Sequence, residues 1–176
     1  RIGHIDLTLK SLLQQSIPPA RIYLNVPAYS KREKCAYEVP PHIQKLKTVE
    51  IVPCEDYGPA TKVIPTLFNM PPDQPIFVVD DDRIYHPNLI ADLDAAIKVR
   101  TDTVFGFSGW IVPEDLIDRP TKILSNLLMR SPAPVRASRL SQPYPVDIIQ
   151  GMSGYCVRPC FFPDLAALTN YSVAPE

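Results

Sequence analysis

The segment Ile76-Phe77-Val78-Val79 runs without a break into Asp80, Asp81 and Asp82, and it constrains the fold more than any other part of the chain. A short, uninterrupted apolar run suits a strand covered on both faces, as in parallel sheets sandwiched between helices. Three carboxylates at the end of such a strand repel one another and lose water, so they persist most easily where a cation or several donors neutralise them. Mg²⁺ and Mn²⁺ fit best: hard cations take oxygen ligands, and Mg²⁺ is typically held by one or two carboxylates together with the phosphates of a substrate. The competing reading of the same triplet is a solvated acidic turn that caps the next helix.

Hydrophobic spacing on either side of this strand predicts alternating helices and strands. Ile5, Leu9, Leu12 and Leu13 recur at helical intervals until Pro18 and Pro19 stop the pattern. Strands are expected over 21–26, 49–53, 74–80 and 103–107, a loop over 27–41 with a helical turn at 42–47, and a short apolar segment at 146–149. A packed helix is expected over 60–70, kinked or shortened by Pro65, and a further one over 121–129. Pro87 suits the first position of a helix reaching about Arg100, with Leu89, Ile90, Leu93 and Ile97 on its buried face. This order predicts an α/β fold, a three-layer sandwich with a mostly parallel central sheet, and ligands at the carboxyl ends of its strands.

At 176 residues the chain is near the size of one domain, and a formal net charge of −1 without any Lys/Arg-dense window gives no field for nucleic acid. No apolar run approaches the roughly 18 residues of a membrane span, so the chain reads as a soluble domain. It opens without Met and almost directly on a helical pattern, as a piece of a longer polypeptide would. Its compartment, cytoplasmic or membrane-associated through segments outside the chain, stays open. The 21 prolines, scattered between apolar segments, read as rigid connections. Cys35, Cys54, Cys156 and Cys160 lack the spacing of a zinc site and are expected as thiols. His86, just ahead of Pro87, reads as a cap or core contact and not as a ligand.

Two further segments carry chemistry. Glu55-Asp56-Tyr57-Gly58-Pro59-Ala60-Thr61-Lys62 is a strand-to-helix junction in which backbone N–H groups and the Lys62 ammonium can converge on a phosphate, although the Walker spacing is absent. Around Gln150-Gly151-Met152-Ser153-Gly154-Tyr155, two glycines in a glycine-poor chain point to close backbone approach, which a tight turn between core strands would also need. Trp110 could stack on a sugar or base, or serve the core.

Taken in order, Asp-Tyr-Gly-Pro-Ala-Thr-Lys at 56–62, Val-Val-Asp-Asp-Asp at 78–82 and Gln-Gly-Met-Ser-Gly-Tyr at 150–155 resemble nucleotide-sugar glycosyltransferases of the A-type (GT-A, nucleotide-diphospho-sugar transferase) fold, especially the family 2-like group. The resemblance covers almost the whole chain. It implies an Asp-x-Asp motif with Asp82 on Mn²⁺ or Mg²⁺, Asp80 shared between metal and donor ribose, and Asp81 beside the nucleotide. Asp56, Tyr57, Gly58 and Lys62 would hold the nucleotide and diphosphate; Trp110, Gln150, Gly151, Ser153 and Gly154 would border the sugar and a glycan, lipid or protein acceptor. It also implies a single domain over 1–176 incomplete at both ends. The family's first strand would lie before Ile5, and its catalytic base beyond Glu176, leaving Asp147 and Asp164 as substitutes. The expected activity is metal-dependent, inverting transfer of a sugar from a nucleoside diphosphate to an acceptor hydroxyl. Alternatives are a sugar nucleotidyltransferase, which would want a glycine-rich basic loop, a binding module of the same fold without turnover, and, ranked last, a metal hydrolase, for which His4, His42 and His86 supply too few evident ligands.

Overall fold

A computed structural model describes residues 5–31, 34–116, 124 and 134–170. Helix α1 (Asp6–Leu13) buries Thr8, Leu9, Ser11 and Leu12, the face set by its 3.6-residue period. It leads into β1 (Ile22–Pro27). The loop expected over 27–41 contains a two-residue hairpin, β2 (Tyr29–Ser30) against β3 (Cys35–Ala36), and the turn at 42–47 is α2 (Pro41–Gln44). Strand β4 (Val49–Cys54) pairs parallel with β1, Ile22 opposite Val49 and Pro27 opposite Cys54.

The helix expected over 60–70 is two elements, a 3-10 turn at Gly58–Lys62 and α3 (Ile64–Asn69), broken at Val63. Pro65 is the cause: it lacks an N–H and is tolerated only in a first helical turn, so α3 starts where the proline sits in it. Strand β5 (Ile76–Val78) ends just before the acidic triplet, and α4 (Leu89–Val99) buries Leu89, Ile90, Leu93 and Ile97. Pro87 lies ahead of α4, two residues before Leu89. The chain continues through β6 (Phe105–Gly106), β7 (Ser108–Trp110), β8 (Pro134–Arg136), β9 (Ile148–Ile149) and β10 (Tyr155–Val157). All of the helix expected over 121–129 except Leu124 lies outside the described residues.

Among the described residues the strands form four small sheets, with orders β1-β4, β5-β10-β6, β2-β3 and β8-β7-β9. Among the described residues only β1 and β4 pair in parallel, and a mostly parallel central sheet is not among these ladders. The buried core is correspondingly divided. One cluster joins α1, α4 and β10 through Leu12, Leu89, Ile90, Leu93, Ile97 and Cys156; a second gathers Ile5, Leu9 and Ile43; a third holds Leu67, Val78 and Val157. Between β1 and β5 lies a cleft of about 1210 Å³ with a predominantly apolar lining.

No described helix is long and apolar enough to cross a membrane. All four cysteines are free thiols, and burial pushes that of Cys156 up to about 11.

Candidate functional site

The site is assembled from turns that follow β4, β5 and β9. After β4 the chain reverses at Asp56, whose carboxylate collects the loop around itself. Asp56 Oδ1 accepts the Gly58 N–H at 2.8 Å and Oδ2 the Lys31 N–H at 2.7 Å, while the Thr61 hydroxyl approaches at 3.4 Å. The Lys31 ammonium donates to the Asp56 carbonyl at 3.0 Å. Partial burial alone would raise the Asp56 pKa; the N–H groups of Lys31 and Gly58, the Thr61 hydroxyl and the Lys31 charge outweigh it and hold the carboxyl below its ordinary value. Gly58 has φ +60°, a left-handed conformation suited to glycine, and its missing Cβ would meet nothing within 4 Å. The Tyr57 N–H donates to the Thr61 hydroxyl at 2.8 Å. This tight turn aims Lys62 across to β5.

Lys62 Nζ donates to Asp80 Oδ1 at 2.5 Å, and both side chains are roughly three-quarters buried, 29% and 26% exposed. Gly151 lies directly against this lysine: a Cβ there would stand 2.6 Å from Nζ and 3.3 Å from Cε. Three segments far apart in sequence, 56–62, 80–82 and 150–155, thus meet at one ammonium group. Tyr85 adds a second tie. Its hydroxyl accepts the Asp80 N–H at 2.7 Å and lies 3.3 Å from the Asp80 carbonyl and 3.4 Å from the Met152 carbonyl. A third tie is the Arg83 guanidinium, 3.4 Å from Met152 Sδ. Burial pushes the Tyr85 hydroxyl up to about 12, and burial with the nearby Asp80 anion does the same to Tyr155.

The acidic triplet divides by side chain. Asp80 is partly buried against Lys62, Asp81 is partly buried and accepts the Thr8 hydroxyl on its carbonyl at 3.0 Å, and Asp82 is exposed. No group of three or more His, Cys, Asp or Glu side chains placed to hold a metal occurs among the described residues. A hard cation that shares its coordination with substrate phosphates needs only one or two protein carboxylates, and the strand end supplies Asp80 and Asp82. Carboxylate oxygens are donors of the type that Mn²⁺ or Mg²⁺ takes, with Asp80 Oδ1 here paired to the Lys62 ammonium.

The glycine segment closes the other side. Gln150 N–H donates to the Ser108 carbonyl at 2.9 Å, and the Ser108 hydroxyl donates to Ser153 Oγ at 3.1 Å. Gly154 has φ +91°, and a Cβ there would come within 2.9 Å of Leu89, so this glycine serves the packing of β10 on α4. Trp110 sits half-buried on β7, its backbone paired with Pro134 and Ile148. The two substitute bases are engaged by backbone: Asp147 Oδ2 accepts the Val112 N–H at 2.7 Å, and Asp164 Oδ1 the Ala166 N–H at 2.9 Å. Both are exposed, and Asp164 begins the turn at Ala166–Thr169. His86 Nδ1 accepts the Asn88 N–H at 3.2 Å at the entry to α4.

Sequence reasoning passed over Lys31 and Tyr85. Lys31 lies in a proline-flanked loop with no periodicity, and its approach to Asp56 depends on the β2–β3 hairpin. Tyr85 carried a weak signal, as a bulky aromatic three residues past the triplet and before a helix. No family model, curated protein or solved structure matches the chain.

Proposed function

We propose that this chain is a GT-A-type glycosyltransferase domain, transferring a sugar from a nucleoside diphosphate to an acceptor hydroxyl. The observation that carries the reading is the convergence of the 56–62, 80–82 and 150–155 segments on the Lys62 ammonium, which is paired with Asp80 at a strand end. A diphosphate leaving group gains charge as the glycosidic bond breaks, and a cation fixed in place before the reaction stabilises that charge most where it develops. Lys62 is such a cation, oriented by Asp80 and confined by Gly151. Asp80 and Asp82 would hold Mn²⁺ or Mg²⁺, which supplies a Lewis acid for the phosphate oxygens.

In this reading the acceptor oxygen forms a bond to the anomeric carbon as the diphosphate oxygen departs with the bonding pair, inverting the centre. The acceptor proton passes to a carboxylate base; Asp147 and Asp164, the candidates in this chain, each accept a backbone N–H. Asp56 acts by shaping the nucleotide turn, because its carboxylate already accepts donors from Lys31 and Gly58.

Calorimetric titration with UDP and GDP, with and without Mn²⁺, tests the proposal on the chain and on Asp82→Ala and Lys62→Met. Binding that requires the metal, is abolished by Asp82→Ala and weakened by Lys62→Met is expected for one of the two nucleotides. Metal-independent binding unaffected by either substitution would overturn it.

A further inference from the structure

Strand β1 carries one amide side chain, Asn25, among apolar and aromatic residues. Asparagine is depleted in strands, and the reason for this one lies in Pro65. In a continuous helix the N–H of residue 65 would bond the carbonyl of residue 61, but proline has no N–H to give. The orphaned carbonyl is that of Thr61, immediately before Lys62. Asn25 supplies the missing donor: its Nδ2 group donates to the Thr61 carbonyl at 3.0 Å. The same amide meets Thr66, with Nδ2 donating to Thr66 Oγ1 at 3.1 Å and the Thr66 hydroxyl 3.3 Å from Asn25 Oδ1. Thr66 is buried, one residue past Pro65 in α3. One side chain on β1 thus grips the chain on both sides of the break at Val63.

Thr61 is fixed from the opposite side as well. Its hydroxyl accepts the Tyr57 N–H at 2.8 Å and approaches Asp56 Oδ1 at 3.4 Å. The residue before Lys62 is therefore pinned through its side chain by the Asp56 turn and through its carbonyl by β1. That carbonyl and the Lys62 N–H belong to one planar peptide unit, so the bond from Asn25 sets the direction in which the lysine side chain leaves the backbone. A lysine ammonium rides on a flexible four-carbon stem and gives up much conformational freedom when it is held at one point. Here the point is narrow: Nζ stands 2.5 Å from Asp80 Oδ1, and a Cβ on Gly151 would come within 2.6 Å of it. A peptide plane free to rotate would swing the ammonium out of that slot. The anchor itself is firm, because Asn25 lies opposite Val52 within the parallel ladder that joins β1 to β4.

We propose that Asn25 is a positioning residue for Lys62: by giving the Thr61 carbonyl the hydrogen bond that Pro65 cannot, it aims the ammonium at Asp80 and at the phosphates of a bound nucleotide. The second target rests on the glycosyltransferase reading of the site; the first does not. The test compares the parent chain with Asn25→Ala, with Pro65→Ala, which restores an N–H at position 65, and with the double variant. Nitrogen-edited NMR follows the exchange of the Lys62 ammonium protons with water in the free chain, the signal being assigned by its loss in Lys62→Met. Calorimetric titration with UDP and GDP in Mn²⁺ follows binding. Ammonium exchange is expected to quicken by about tenfold or more in Asn25→Ala and to be unchanged in Pro65→Ala. In the double variant it should return to within about threefold of the parent, because residue 65 then has an N–H for Thr61. Nucleotide affinity should fall and recover in step. Ile97→Val, which trims the buried face of α4, should lower stability without moving the ammonium signal.

An ammonium as well protected in Asn25→Ala as in the parent would overturn the proposal, and so would a loss that Pro65→Ala does not repair. Unchanged affinity in a variant whose ammonium is released would overturn the link to the nucleotide. Should Asn25→Ala fail to fold, the double variant decides: folding with the parent's ammonium signal supports the proposal, and any other result refutes it. If the parent binds neither UDP nor GDP, the glycosyltransferase reading fails, while ammonium exchange in the free chain still judges Asn25.

Discussion

Replacing Gly151 by alanine should uncouple Lys62 from Asp80 while leaving the fold in place. The new Cβ would stand 2.6 Å from Lys62 Nζ, about 1 Å inside the ~3.5–4.0 Å at which non-bonded heavy atoms rest. The obstructed atoms are the end of a flexible side chain, so the lysine yields and the backbone stays. A shift of about 1 Å away from Asp80 stretches the 2.5 Å contact to the limit of a hydrogen bond. Because both partners keep about a quarter of their surface in water, the loss in folding stability should be on the order of 1 kcal/mol. Nucleotide binding should suffer more: an ammonium that no longer meets the diphosphate forfeits a charge-assisted bond of ~1.5–3 kcal/mol, about 10- to 100-fold in Kd. A double-mutant cycle with Lys62→Met, read by calorimetry with Mn²⁺ and by urea unfolding, isolates this coupling. The double variant should bind as Lys62→Met does, within ~0.5 kcal/mol. If Gly151→Ala weakens binding equally with and without Lys62, or leaves it unchanged when Lys62 is present, the glycine has another purpose and the reasoning fails.

Tyr85→Phe removes the acceptor of the Asp80 N–H; an unpaired, partly buried donor costs ~1–3 kcal/mol, and urea unfolding should register it together with weaker Mn²⁺-dependent nucleotide binding. A variant as stable as the parent would show that water replaces the hydroxyl. With pKa values of about 12 for Tyr85 and Tyr155, substituting either by Phe should leave the tyrosinate absorbance gained between pH 9 and pH 11 unchanged; a lost step in that interval would contradict the burial. Asp56, whose folded pKa lies below its ordinary value, stabilises the fold above that ordinary value, near 3.8, and loses the contribution as pH falls through the lower folded value. Asp56→Ala should therefore be the less stable protein at pH 7, with the gap narrowing below about pH 4; a gap independent of pH would assign it to packing instead of charge.

What was legible in the sequence was what local physics determines. The stripe in α1, the apolar strands β1, β4 and β5 and the buried face of α4 each follow from side-chain periodicity within the element, and Pro65 marked the break between the 3-10 turn and α3. Pairing between elements was not legible in the same way. Strand β10 lies between β5 and β6 and runs antiparallel to both, and nothing in the residues at 155–157 announces a direction. The candidate site shows the same division. Asp80 and Lys62 were visible as residue types at strand and helix ends, whereas their 2.5 Å contact and the role of Gly151 arise only when the 150–155 turn folds over the lysine. Lys31 was invisible and Tyr85 only faintly legible, because the contacts each makes with a distant segment, Asp56 for one and Met152 for the other, run through backbone carbonyls.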